Sequence, residues 1–349
     1  MIRAGIPLSM AALLAFGATA VGRQDAAQYR GGAERTGSYD VRPMRAFGGL
    51  QWRFMTGGAV RSTPAVADEA VFVGSADGHL YAIDRQTGDE RWRYDAGAAV
   101  TSSPAVTDRA VFITGRDNAV HAVDRRTGAP LWRVETGPDA PWAWGHESAD
   151  LWTSSPLAAG DLVVAGSGDG AVYALDAASG RVRWRTETGG RVRSSPAVRD
   201  GRVFVGSMDG SLHVLDLRTG RRIGEGRTAG SDLFSGDFGF DRRSIQSTPA
   251  VADGGVFVGS KDGFLYAFDL DGRPRWSFDH EVSWILGGPA VGGGHVFAGS
   301  SDGRFVPAVR TDAPVEAWRH ATAAPVWTSP AYARGVLYFG DSGGTVTAL

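Results

Sequence analysis

The sequence predicts an all-β protein: a seven-bladed β-propeller of four-stranded antiparallel blades, closed by an N-terminal strand that completes the last blade. Two observations carry this. The phrase Ser/Thr-Pro-Ala-Val recurs around Pro64, Pro104, Pro156, Pro196, Pro249, Pro289 and Pro330, at spacings of 40, 52, 40, 53, 40 and 41 residues. Each proline is followed by a short apolar run, a Gly-Ser-x-Asp-Gly turn, a second apolar run ending in Asp, and usually Gly-x-x-x-Trp. A period near 40 made only of strands and turns is the signature of one propeller blade per repeat.

Blade one shows the elements in order. Ser62-Thr63-Pro64-Ala65-Val66 is the inner strand, where proline is tolerated because it opens the strand. Ala70–Val73 and His79–Asp84 are the second and third strands. Both are nearly continuous apolar runs, as expected of strands covered on both faces by neighbouring blades. Ser75-Ala76-Asp77-Gly78 makes the turn between them, with Gly78 supplying positive φ. The outer strand is Arg91-Trp92-Arg93-Tyr94, whose aromatic face packs on the next blade. The docking tryptophan returns as Trp132, Trp184, Trp276 and Trp318. Blade four has Ile223 instead, so its outer strand is expected to be the least ordered. The last repeat stops at Leu349 after its third strand, and Gln51-Trp52-Arg53-Phe54 has the missing outer-strand pattern, which assigns it to ring closure.

Residues 1–20 read as a secretory signal peptide: Arg3, an apolar stretch from Ala4 to Ala15, and the small-x-small pattern Ala18-Thr19-Ala20. The stretch is short and broken by Pro7, which argues against a retained membrane anchor. The expected organisation is a signal peptide (1–20), a lead-in (21–50) and one propeller domain (51–349). The expected location is the periplasm or the extracellular space, as a soluble monomer after cleavage near Ala20. The chain has no cysteine, hence no disulfide and no lipidated cysteine at a new N-terminus. A formal net charge of −2 gives no case for nucleic acid or anionic lipid as partner. Lys261 is the only lysine, and the fifty glycines suit a chain with a turn about every ten residues.

The repeat breaks twice, by 12 and 13 extra residues, at 136–152 and 226–246. Both insertions join an outer strand to the next inner strand, so they lie at the channel mouth with the Gly-Ser-x-Asp-Gly turns. The same face receives the residue three before each blade proline: Arg61, Thr101, Thr153, Arg193, Gln246, Leu286 and Trp327. Their variety inside a regular frame suggests a shaped, partly polar funnel; the alternative is that they fill the mouth around water. Candidate ligand-binding residues are Arg61, Arg193, Gln246 and Trp327 with Trp142, Trp144, His146, Glu147, Arg242 and Arg243 from the insertions. Arginine binds carboxylates and phosphates bidentately and tryptophan supplies stacking area. His146, Glu147 and Asp150, with Asp232, Asp237 and Asp241, contain enough ligands for a Ca²⁺ site or an acid/base pair, although solvated loop charges are the commoner outcome. Phe234, Phe238 and Phe240 add aromatics to the second insertion, where loop packing competes with ligand stacking. The turn aspartates Asp77, Asp117, Asp169, Asp209, Asp262 and Asp302 are spread round the rim, one per blade, and read as turn formers. No serine-hydrolase, metalloprotease or phosphate-loop motif appears.

The segment Ala82-Ile83-Asp84-x-x-x-Gly88-x-x-x-Trp92 resembles the tryptophan-docking motif of pyrroloquinoline-quinone-type propeller repeats. It returns as Ala122-Asp124-Gly128-Trp132, as Ala174-Asp176-Gly180-Trp184 and, one residue shorter, as Ala267-Asp269-Gly272-Trp276. Tyr29-Arg30-Gly31-Gly32-x-x-Arg35-Thr36-Gly37 is similar to the lead-in of secreted members. The resemblance implies the fold, with Trp52, Trp92, Trp132, Trp184, Trp276 and Trp318 as docking residues. The group includes quinone-dependent dehydrogenases and the propeller lipoprotein of the outer-membrane β-barrel assembly machine. Those dehydrogenases carry a vicinal cysteine pair and a Glu/Asn/Asp calcium set that find no match here. Two functions follow as expectations. The first is a non-enzymatic module that binds a protein or a small polar or anionic ligand through the insertion face, with no cofactor. The alternative is a quinone-dependent oxidoreductase, with pyrroloquinoline quinone in the funnel held by Arg61 and Arg193 and Ca²⁺ held by insertion acids.

Overall fold

A computed structural model describes residues 27–42, 48–141, 150, 152–229, 242, 244–281 and 284–349. It contains seven four-stranded sheets, consecutive in sequence, which make a seven-bladed propeller. Blade one pairs Ala65–Ala67, Ala70–Gly74, His79–Asp84 and Glu90–Asp95 in antiparallel order, and blades two to six repeat it. In blades one to six the second and third strands are largely buried and the outer strands alternate, as the apolar runs predict; in blade seven the third strand, Val346–Ala348, is exposed. The core is a series of clusters between adjacent blades, one at each boundary from one–two to six–seven.

Tryptophan docking has a common geometry. The indole N–H of Trp52, Trp92, Trp132, Trp184 and Trp276 donates to a backbone carbonyl of the following blade, at Arg85, Arg125, Ala177, Leu217 and Thr311. The indole of Trp52, Trp92, Trp132 and Trp184 lies on the glycine of that blade's second turn, Gly88, Gly128, Gly180 and Gly220. At Gly220 (φ +71°), a Cβ would sit 2.6 Å from the Trp184 ring, so the turn needs glycine for both its backbone and its surface. Trp318 packs on Phe297 of its own blade at 5.7 Å, but it is 40% exposed and no such bond forms.

Blade four departs from the expectation of disorder. Its outer strand, Arg222–Arg227, is a regular six-residue strand paired along its length with Ser211–Asp216. The residue at the tryptophan position is Gly224, opposite Val214, where the other blades set Trp opposite Ala. A Cβ on Gly224 would collide with the Asp271 carbonyl, and one on Gly226 would lie 2.6 Å from the Phe268 ring. The backbone itself touches blade five, and no tryptophan-sized space remains.

Ring closure also departs from expectation. The strand completing the last blade is N-terminal, but it is Ser38–Tyr39, which pairs in parallel with the inner strand Ala331–Ala333. Gln51–Phe54 forms no strand, although Trp52 docks on blade one as the outer-strand tryptophans dock on theirs. The reason lies in the path of the arm before it. Carbonyls of Ala27, Ala33, Glu34, Thr36 and Gly37 accept the inner-strand N–H groups of Val106, Val198, Val251, Val291 and Tyr332 in turn. The Gln28 side chain does the same for Ala158 at 3.0 Å. Residues 27–39 thus pass round the inner strands from blade two to blade seven, and the chain reaches blade seven from the channel side. The lead-in expected to precede the propeller is built into it.

Candidate functional site

The Ser-Ser/Thr-Pro phrase shapes the mouth. In blade one the first hydroxyl ties its own blade: Ser62 Oγ accepts the Gly74 N–H at 2.9 Å and donates to the Gly74 carbonyl at 2.9 Å, whereas Ser154, Ser194 and Ser247 Oγ donate to carbonyls of the following blade. The second ties neighbours, because Ser103, Ser155 and Ser195 Oγ accept the N–H of Thr63, Ser103 and Ser155 of the preceding blade, each at 2.9 Å. Buried polar groups so satisfied rigidify the ring around the axis. Blade six has Gly287-Gly288 here, and a Cβ on Gly288 would press on the Arg30 guanidinium at 3.0 Å.

Inside this hydroxyl belt lies a cavity of about 420 Å³. Arg61, Thr101, Thr153, Arg193, Gln246, Leu286 and Trp327, the seven positions three before each proline, all line it, together with Trp152 and Asp150 from the first insertion. Its floor is Tyr29 of the N-terminal arm, whose hydroxyl lies 3.1 Å from Ser329 Oγ. The arm is fixed by Arg35, which is fully buried and donates to the carbonyls of Tyr29 (2.6 Å), Pro156 (2.8 Å) and Pro196 (3.1 Å). Burial pulls its guanidinium down to about 9. Arg30 is likewise buried and donates to Arg35 O at 2.9 Å and to Pro289 O. The sequence signal for this floor was present as the two arginines of the lead-in, but nothing in the repeat said that they point into the channel.

The two cavity arginines differ. Arg193 is 8% exposed and clamps Asp150, with Nε 3.0 Å from both carboxylate oxygens, and it also reaches Asp139. Burial pulls its guanidinium down, but Asp150 and Asp139 outweigh burial and leave it raised. Arg191 Nη1 meets Asp150 at 2.9 Å, and Arg116 donates to the Asp150 carbonyl at 2.6 Å. Asp150 is therefore held by arginines on its carboxylate and on its carbonyl. Arg61 is exposed, and among the described residues no hydrogen bond or ion pair holds its side chain. Trp327 and Trp152 are 51% and 42% exposed at the rim. Arg242 donates to the Asp262 carbonyl at 2.8 Å beside the mouth and does not line the cavity. Trp142, Trp144, His146, Glu147, Arg243, Asp232, Asp237, Asp241, Phe234, Phe238 and Phe240 lie outside the described residues.

The turn aspartates tie the mouth together. Asp77 accepts from the Gly57 and His79 N–H groups at 2.7 and 3.0 Å and from Tyr81 Oη at 2.8 Å. Burial pushes its carboxyl up, but these donors outweigh it and hold it low. Asp169 and Asp209 repeat the arrangement with Tyr173 and His213.

Among the described residues no set of side chains at the cavity fits quinone with calcium. Asp150 is the only described carboxylate lining the cavity, and it is taken by arginines. Among the described residues no three His, Cys, Asp or Glu side chains group as a metal site, and the chain has no cysteine.

Solved structures with this architecture include BamB from Moraxella catarrhalis, at 21% identity over 86% of this chain and 88% of that one (TM-score 0.71). A europium-containing methanol dehydrogenase matches at 13% identity over 93% and 83% (TM-score 0.72). The quinohemoprotein alcohol dehydrogenase from Comamonas testosteroni matches at 15% over 92% and 77% (TM-score 0.62). At these identities the likeness shows the fold. A search of curated proteins finds no match. The pyrroloquinoline-quinone-like propeller family described as outer membrane protein assembly factor BamB matches residues 40–149, 116–237 and 226–349, and the chain belongs to that family.

Proposed function

We propose that this protein is an exported, non-catalytic binding module that engages its partner through the face carrying the two insertions. One observation carries the reading: the seven positions three before each blade proline converge on one cavity, which Tyr29 of the arm also lines. A frame that needed only filling has no use for a pocket rimmed by two half-exposed tryptophans and by an arginine that makes no hydrogen bond or ion pair among the described residues. The family's description as an assembly factor makes a protein the first partner to test, with an acidic or aromatic group entering beside Arg61, Trp152 and Trp327. Export is supported by the Arg3-to-Ala20 pattern. Among the described residues no helix is long and apolar enough to cross a membrane.

The test is site-specific photo-crosslinking in the native host. A photoreactive residue at position 327 should yield one discrete adduct, lost in an Arg61→Glu background. The same residue at position 218, on the turn at the opposite face, should yield none. Equal adducts from both positions, or none from 327, would reject the reading.

A further inference from the structure

In six of the seven blades the residue immediately before the proline carries a hydroxyl: Thr63, Ser103, Ser155, Ser195, Thr248 and Ser329. All six line the cavity, and Ser103, Ser155, Ser195 and Thr248 are no more than 5% exposed. Their hydrogen bonds run one way. Ser103, Ser155 and Ser195 Oγ each accept a backbone N–H of the preceding blade at 2.9 Å, and among the described residues none of the three donates. Oγ1 of Thr63 and of Thr248 makes no hydrogen bond at all among those residues. The frame uses this belt as acceptors where it uses it at all, and five hydroxyl protons are left over. A buried donor without an acceptor costs stability, so the cavity calls for a group that accepts.

The charges point the same way. Asp150 is the only described carboxylate in the lining, and Asp150 with Asp139 faces three arginines, Arg116, Arg191 and Arg193. Arg61 lines the cavity and makes no hydrogen bond or ion pair among the described residues. Blade six interrupts the belt with Gly288, and the Arg30 guanidinium stands in the place of its side chain, since a Cβ there would lie 3.0 Å from Arg30 Nε. Arg30 and Arg35 are both buried, their hydrogen bonds go to carbonyls, and Arg30 Nη1 has no partner among the described residues. No described carboxylate answers either charge. Low-dielectric walls focus such a field on the space they enclose.

We propose that the hydroxyl belt is an oxyanion site. The proposal rests on the reading of the cavity as the working surface and names what enters it. A carboxylate or phosphoryl group accepts from the belt hydroxyls, with Arg61 on the cavity side and Arg30 and Arg35 behind the belt. Hydrogen bonds to an ionised acceptor are shorter and stronger than neutral ones, which gives the leftover donors a use. The cavity of about 420 Å³ falls within the range of small-molecule sites, about 300–1,000 Å³. It has room for a free organic anion, or for the acidic side chain or C-terminus of a partner.

Calorimetric titration and thermal melts with inorganic phosphate and with citrate test this, against sodium chloride at matched ionic strength. At least one of the two anions should bind saturably and raise the melting temperature by several degrees more than chloride does. Preference for phosphate marks a phosphoryl group, and preference for citrate a carboxylate. Thr63→Val/Thr248→Val removes two donors that hold nothing else in the described structure. It should melt as the parent does without anion and bind at least tenfold more weakly. Arg61→Gln, at an exposed side chain, should do the same. Binding unchanged in both variants, or a response no greater than that to chloride, would overturn the proposal. The adduct at position 327 keeps the two readings apart. An adduct without anion binding overturns the oxyanion site and leaves the protein partner, and anion binding without an adduct does the reverse.

Discussion

Arg193 sets its Nε 3.0 Å from both carboxylate oxygens of Asp150, forty-three positions earlier in the chain. The contact ties the end of the first insertion to the entry of blade four and forms one wall of the cavity. Asp150 also answers Arg191 and Arg116, so removing it strands buried positive charge. Asp150→Asn is expected to destabilise by about 3–5 kcal/mol, the usual cost of breaking a buried pair from one side. Arg193→Ala should cost less, because Arg191 remains on the carboxylate. Urea denaturation of both variants checks the order. Arg193 is a framework residue as well as a cavity residue, whereas Arg61 is exposed and makes no hydrogen bond or ion pair among the described residues.

Arg35 is expected to hold the cavity floor. Its guanidinium serves carbonyls from the arm, blade three and blade four, and each carbonyl left without a donor costs about 1–3 kcal/mol. Arg35→Met should lower the melting temperature and release the arm. Limited proteolysis should then cut between residues 27 and 40 at least tenfold faster than in the parent. An uncut arm in a stably folded variant would show that the backbone bonds to Val198, Val251 and Val291 suffice.

Much of this architecture was legible because it repeats. The period fixed blade number, strand order and the mouth, and the seven pre-proline positions converge as the repeat requires. Chemistry that occurs once was not legible. Arg30 and Arg35 sit in a segment without periodicity, so their direction into the channel had no sequence signal. The Val214–Gly224 exchange was hidden because Ile223, one residue away, looked like the tryptophan substitute. Gln51–Phe54 carries the outer-strand pattern, but pattern specifies docking and not pairing. Trp52 docks on blade one while its ladder is absent.

His280 gives the protein a pH dependence of defined sign. It is fully buried between Phe278 and Phe305, and neither ring nitrogen has a partner among the described residues. Burial, then the nearby Arg319 charge, pulls it down to about 3. The folded protein keeps it neutral while the unfolded chain takes a proton near pH 6.5. The unfolded state therefore binds more protons between about pH 3 and 6.5, and stability falls as pH drops through that window. His121 is also lowered, by burial against the opposing pull of Asp117, and acts in the same direction. Between pH 6.5 and 4.5 the slope from His280 alone approaches about 1.4 kcal/mol per pH unit. His280→Phe should flatten the curve in that range; an unchanged slope would show that other groups cause it.

Trp184 and Trp327 separate frame from surface. Trp184 is 7% exposed and lies on Gly220 with its N–H bonded to Leu217 O at 2.9 Å. Trp184→Ala should destabilise by about 3–5 kcal/mol as a buried large-to-small change. Trp327 is 51% exposed at the cavity rim, and Trp327→Ala should stay within about 0.5 kcal/mol of the parent. The two variants should also differ in function. Trp327→Ala should keep the native melt and lose the adduct formed from a photoreactive residue at position 152 on the same rim. Trp184→Ala, assayed at a temperature where it remains folded, should keep that adduct. If Trp327→Ala melts as low as Trp184→Ala, then the rim tryptophan supports the blades and the cavity loses its claim to be a binding surface.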